Sequence, residues 1–247
     1  MVFNPVDVGK SMNRAPPAGF VPPTPLAPPC ASVSLWFCAL RPASIDPSLV
    51  AWLSEQERAR MRRFGNDALR ARYLIGRASL RWVLAQTIGV APDAVMIERG
   101  ARGRPQLAGA RILDFNVSHT ADAALIGVAH EGRIGVDIER ADRAIHSSRL
   151  AQRILTDAER AALPDGYDDV RRRILRLWTC KEALAKATGD AMSAPFSRLD
   201  IVAAPTLALA AGPPPYDPAA FSLFAAAVPD AYLATVALWR PYNAAPK

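Results

Sequence analysis

Arg133-Ile134-Gly135-Val136-Asp137-Ile138-Glu139 reads as a β-strand, and the fold turns on it. Strand side chains alternate between faces. Ile134, Val136 and Ile138 therefore point one way, and Gly135, Asp137 and Glu139 the other. Two carboxylates stand side by side on one face, with a glycine leaving room beside them. Like charges this close oppose ionisation unless a cation or donors compensate. Such hard oxygens suit Mg²⁺, which takes one or two carboxylates together with substrate phosphates and water. A strand with one solvated face shows the same alternation, so this segment alone leaves both readings open.

Outward from this strand, the chain reads as two similar halves. Before it, the pattern predicts a strand over 33–40 and a helix from Pro47 to about Phe64. A second helix is predicted over 67–88, stopped by Gly89, then strands at 94–98, 111–117 and 123–129. After it come helical segments at 147–155, 156–163 and 168–188, then strands at 199–203, 205–210, 221–227 and 231–239. The expectation is an α+β fold with two similar lobes, 32–132 and 133–241, each a small antiparallel sheet packed with helices. Residues 1–31 hold Pro16-Pro17, Pro22-Pro23 and Pro28-Pro29 and are expected to form a flexible extension.

Composition removes several classes. The 247 residues carry a net charge of +7, which predicts an anionic partner. No apolar run reaches the ~18–20 residues of a membrane span, and no apolar leader core is visible. Cys30, Cys38 and Cys180 are scattered without metal-ligand spacing. Together these predict a cytoplasmic protein without a zinc finger. There is no P-loop, no G-x-G-x-x-G after a strand and no RNA-binding aromatic motif. A nucleic-acid binder therefore rests on charge alone.

Only four of the 30 basic residues are lysines, and two of them, Lys181 and Lys186, sit in Trp178-Thr179-Cys180-Lys181-Glu182-Ala183-Leu184-Ala185-Lys186. On a helix Trp178, Glu182 and Lys186 share a face. A surface Glu–Lys pair explains this spacing equally well. A chain that otherwise uses Arg has less reason to keep Lys there, unless a compact charge on phosphate or a removable proton is needed. Phe115-Asn116-Val117-Ser118-His119 places Ser118 and His119 at a strand end, where the pair can hydrogen-bond phosphate. It is not a hydrolase triad, because no nucleophile elbow is present. Gly103-Arg104-Pro105 is a turn that fixes an arginine, and residues 58–81 hold eight arginines spread around their helices.

Taken in order, Gly103-Arg104-Pro105, Phe115 to His119, Gly135 to Glu139 and Trp178 to Lys186 resemble the 4′-phosphopantetheinyl transferase superfamily, over roughly residues 33–240. The length resembles the larger, monomeric type, in which two lobes are related by pseudo-twofold symmetry with the active site in the cleft between them. The resemblance implies transfer of the phosphopantetheine arm of coenzyme A to a serine of an acidic acyl, peptidyl or aryl carrier protein. Adenosine 3′,5′-bisphosphate is then the by-product. It implies that Asp137, Glu139 and Glu182 hold Mg²⁺ and that Lys186 contacts phosphate. Ser118, His119 and Arg104 would meet the 3′-phosphate region, with Arg60 and Arg58 supplying further cations to coenzyme A. Glu182, or a water held by Glu139, is then the base for the carrier serine. Two positions depart from the family pattern. The glycine-X-proline turn carries Arg104 where Lys is frequent, and Glu57 stands where some members have Lys. A protein that binds coenzyme A or a carrier without transfer is the alternative. No nucleic-acid or membrane partner is expected.

Overall fold

The computed structural model describes residues 16–17, 19–41, 46–109, 113–144, 147–203 and 205–241. In chain order the elements begin with β1 (Thr24–Leu26), β2 (Val33–Ala39), α1 (Glu55–Arg62) and α2 (Asp67–Ile88). Next come β3 (Ile97–Arg99), β4 (Pro105–Leu107), β5 (Asp114–His119), β6 (Ala123–Ala129) and β7 (Arg133–Arg140). Helices α3 (Ser147–Ile154), α4 (Asp157–Ala161) and α5 (Tyr167–Thr188) follow. The chain closes with β8 (Asp200–Val202), β9 (Ala208–Ala211), β10 (Phe221–Ala225) and β11 (Tyr232–Trp239). The expected α+β class with small antiparallel sheets is what the structure has.

Two compact units divide the chain, at other points than the sequence suggests. The smaller holds Cys38–Met96 with the chain up to Pro23, and the larger holds Thr24–Phe37 with Ile97 onward. The expected boundary at 132/133 falls inside the larger unit. The reason is a shared core: Val33, Leu35, Leu125 and Ala129 pack with Ile134, Val136, Ile138 and Val236. Apolar faces on both sides of that boundary bury each other, so no division runs between them. Part of the expected flexible extension is also ordered, since Thr24–Leu26 pairs antiparallel with β2 and Phe20 is buried against Trp52 and Trp82. Residues 1–15 lie outside the described residues.

In the smaller unit, the helix expected from Pro47 is two pieces. A 3-10 turn runs over Pro47–Trp52, Leu53 is extended, and Ser54 starts α1 afresh. Ser54 and Glu57 form a reciprocal capping box, each side chain binding the other's backbone amide. Asn66 caps α2 through the Leu69 amide, and Gly89, at φ +72°, ends it in the left-handed conformation. The capping carboxylate of Glu57 then serves a second purpose, accepting from Arg77 and from Arg81 Nε at 2.7 Å.

The larger unit is layered. A four-stranded sheet, β1-β2-β6-β5, packs on one face of a three-stranded sheet, β10-β11-β7. The other face of the second sheet is covered by α5, whose Leu177, Cys180, Ala183 and Leu184 are fully buried. Capping recurs here in the same form. Thr156 and Glu159 box the start of α4, and Glu159 also accepts from Lys181 Nζ at 2.6 Å.

Candidate active site

Strand β7 alternates as its sequence predicts. Ile134, Val136 and Ile138 enter the core between the sheets, while Gly135, Asp137 and Glu139 face α5. The solvated-face reading fails because a helix covers this face. Gly135 makes the coverage possible: a Cβ there would stand 1.9 Å from the carbonyl oxygen of Ala183 and 2.6 Å from the amide of Ala187. With no side chain at that point the backbone of α5 sits on the strand, which brings Glu182 and Lys186 over Asp137.

The free edge of β7 is closed by side chains. Asp114 accepts from the Ile134 amide at 2.7 Å, and Asn116 accepts from the Val136 amide at 3.0 Å. Two residues further along β5, the Ser118 hydroxyl donates to Asp137 Oδ1 at 2.8 Å. Asp114, Asn116 and Ser118 therefore form a polar ladder on one side of β5, each rung reaching β7. The sequence reading took only Ser118 from this set. The signal for the other two is the alternation of polar Asp114 and Asn116 with apolar Phe115 and Val117.

Lys186 completes the centre. Its Nζ donates to Asp137 Oδ1 at 2.6 Å, to Ser118 Oγ at 2.9 Å and to the Val136 carbonyl at 3.1 Å. All three ammonium donors are thereby engaged. Glu139 accepts from Trp178 Nε1 at 3.2 Å and from Arg143. Burial pushes the Glu139 carboxyl above the usual carboxylate range; Arg143 opposes this and Asp137 adds to it. Glu182 is raised as well, by burial first and by the charges of Asp137 and Glu139, with Lys186 opposing.

Two buried oxygens here lack any hydrogen-bond partner, Asp137 Oδ2 and Glu182 Oε1. A buried carboxylate oxygen left unpaired is costly. Hard oxygens of this kind suit a divalent cation, so the donor chemistry of these two residues fits Mg²⁺. Among the described residues no three His, Cys, Asp or Glu side chains are grouped so as to hold a metal ion, and Glu139 is bonded to Trp178 and Arg143.

The remaining expected residues have settings of their own. Arg104 forms a bidentate ion pair with Asp114, at 2.5 and 2.7 Å, and donates to the carbonyls of Ile134 and Lys186. Its guanidinium ties β4 to β5, β7 and the end of α5, rather than standing beside Ser118 and His119. His119 is exposed at the last position of β5. Arg60 is exposed on α1, in the smaller unit. Lys181, which shares a segment with Lys186, is wholly buried on Glu159 and the carbonyls of Ile154 and Phe196.

The fold and this centre define an α+β protein with buried carboxylates and a lysine at the junction of one strand and one helix. Residues 133–237 match the 4′-phosphopantetheinyl transferase superfamily, and residues 44–131 match the N-terminal region of 4′-phosphopantetheinyl transferases. The chain is 37% identical to the 4′-phosphopantetheinyl transferase HetI of Nostoc sp., over 70% of this chain and 75% of that protein. It is 31% identical to a phosphopantetheinyl transferase of Thraustochytrium sp., over 65% of this chain and 62% of that protein. It is 29% identical to the L-aminoadipate-semialdehyde dehydrogenase-phosphopantetheinyl transferase of Xenopus laevis, over 64% of this chain and 59% of that protein. The chain belongs to the 4′-phosphopantetheinyl transferase superfamily.

Proposed function

We propose that this protein transfers the 4′-phosphopantetheine arm of coenzyme A to a serine hydroxyl of an apo carrier protein. The observation that carries the proposal is the Asp137–Ser118–Lys186 network lying beside the unpaired oxygens of Asp137 and Glu182. These residues would offer carboxylate oxygens to a cation beside a lysine that would meet phosphate. In the reaction the serine oxygen attacks the phosphorus that bears the pantetheine arm. The bond to the bridging pyrophosphate oxygen breaks, and adenosine 3′,5′-bisphosphate leaves with that oxygen. Such a transfer needs charge neutralisation and in-line positioning more than covalent help.

Asp137 and Glu182 would hold Mg²⁺, with Glu139 joining once it releases Arg143. The ion, when bound, supplies charge neutralisation to the pyrophosphate. Lys186 exchanges its bonds with Asp137 and Ser118 for a phosphate oxygen and stabilises the charge that builds up on the leaving group. Glu182, or a water held by Glu139, accepts the serine proton. His119, exposed at the strand end, suits the 3′-phosphate; Ser118 serves that contact only after leaving Asp137. The +7 net charge favours an acidic carrier, and Arg60, Arg63 and Arg72 are exposed to meet one. A cytoplasmic monomer fits this reading. No described helix is long and apolar enough to cross a membrane.

The test is to incubate the protein with Mg²⁺, coenzyme A and a panel of apo acyl and peptidyl carriers, and to weigh the carriers. The expected gain is about 340 Da, the mass of the arm added as a covalent modification. No gain on any carrier, with coenzyme A binding intact, replaces the transferase by a non-catalytic coenzyme A-binding protein. Asp137→Ala is expected to stay folded and to lose transfer; full activity in that variant removes Asp137 from the metal site.

A further inference from the structure

Phe221, Trp239 and Arg133 occupy one register row across β10, β11 and β7. The Phe221 and Trp239 rings stack with centroids 5.8 Å apart, and Tyr216 stacks on Phe221 at 5.9 Å. The guanidinium carbon of Arg133 lies 5.4 Å from the Trp239 centroid. β7 ends the strand order of its sheet, so the ladder stops at Arg133. Arg133 and Trp239 line a cavity of about 590 Å³, together with Arg102, Arg104, Gly189 and Pro215.

The charges in this cavity do not cancel. Arg104 is paired with Asp114, whose oxygens also take the Ile134 amide. Arg102 is paired with Asp190, which also accepts from Thr188 and Tyr216. Among the described residues no carboxylate comes within ion-pairing distance of Arg133; its contact is the Trp239 ring. Burial and then the neighbouring Arg104 depress its pKa, while Asp114 and Asp190, each already paired with another arginine, oppose the shift from beyond ion-pairing distance. The carbonyl of Lys186, at the negative end of α5, is already covered by Arg104 Nε.

We propose that Arg133 anchors a second ligand site, for a small molecule bearing one carboxylate or phosphate group, distinct from the Asp137–Lys186 centre. A guanidinium held on an aromatic ring keeps its N–H edge for bidentate pairing with an oxyanion. Trp239 has Phe221 on its β10 side and Arg133 on its β7 side, so the ring offers no stacking platform for a base. Selectivity therefore falls on the charged group, with Pro215 as the apolar wall. The volume is that of a small-ligand pocket. Along β7, Arg133 stands roughly 13 Å from Asp137. Between them the backbone of α5 is seated on Gly135 and closes the way. The inference is independent of the transferase reading.

The test is calorimetric titration with inorganic phosphate and, separately, acetate, against a chloride control at equal ionic strength. Each titration is run without and with coenzyme A, and binding that Arg133→Gln weakens while Lys186→Ala spares it is assigned to this site. One of the two anions is expected to bind at one site per chain, phosphate assigning a phosphate-bearing ligand and acetate a carboxylate. Arg133→Gln is expected to weaken that binding at least tenfold and to leave transfer to a carrier within twofold. Should that variant not fold, Arg133→Lys keeps the charge and the stem over Trp239 and is expected to lose affinity about threefold, for want of bidentate geometry. Absence of binding beyond chloride overturns the proposal, as does affinity unchanged in the Arg133 variants.

Discussion

Lys181 and Lys186 lie five residues apart in one helix and do opposite things. Lys181 is a fully buried structural cation, with its pKa lowered by burial and held up by Glu159. Removing it leaves Glu159 buried without a counter-charge, which costs about 3–5 kcal/mol. Lys181→Ala is therefore expected to lower the urea midpoint sharply, or to prevent folding. Lys186 is partly exposed and its partners are the residues of the proposed centre. Lys186→Ala leaves buried Asp137 without its cation and is expected to lower the urea midpoint less than Lys181→Ala does, because Asp137 keeps Ser118 as a donor, with the far-UV spectrum unchanged and carrier modification lost. Sequence reasoning grouped the two because both break the preference for Arg. Nothing local separates them, since one turn of helix and the chain packed on it decide which lysine is enclosed.

At the scale of elements, one device appears twice. A Ser/Thr-x-x-Glu box starts a short helix, and its glutamate then pairs with a buried cation on the following 22-residue helix. Glu57 with Arg81 and Glu159 with Lys181 are the two cases, and each cation also binds two backbone carbonyls. Glu57 thus serves the fold. Burial opposes ionisation of Glu57, but Arg77, the Ser54 amide and Arg81 outweigh it and hold its pKa low. A carboxyl lowered on folding contributes stability above its unfolded pKa and loses it as pH falls through the folded value. Stability is thus expected to fall as pH drops below about 4.5, and Glu57→Gln to flatten that acid limb in denaturant titrations. The strand–helix contact gives a second test. Gly135→Ala forces Cβ into the backbone of α5 and is expected to cost at least ~1–3 kcal/mol, lowering transfer as Lys186 is lifted from Asp137.

For the whole molecule, the net charge of +7 does not act as one field. Of the arginines between 58 and 81, Arg77 and Arg81 are bound to Glu57, and Arg58 and Arg62 pair with Glu55. The exposed remainder is what an acidic carrier meets. Raising NaCl from low to ~0.5 M, where the Debye length falls to a few ångströms, is expected to lower kcat/KM for the carrier several-fold and to spare kcat. Reversing Arg63 and Arg72 to Glu is expected to act in the same direction at low salt.

The amino-acid sequence by itself determined the long second helix with its Gly89 stop and the two-faced strand at 133–139, and it put forward Asp137, Glu139, Glu182 and Lys186 as candidates. Periodicity, capping and residue type are local properties, and each is complete within a few residues of chain. Only the tertiary structure decided that Asp114 and Asn116 close the edge of β7, and that Arg104 is a tie rather than a neighbour of Ser118. It also placed the unit boundary away from 132/133, and among the described residues it set Arg133 on the Trp239 ring and not in an ion pair. Those outcomes depend on which distant groups meet. A buried amide or cation takes the nearest partner that satisfies it, and sequence distance carries no information about which partner that is.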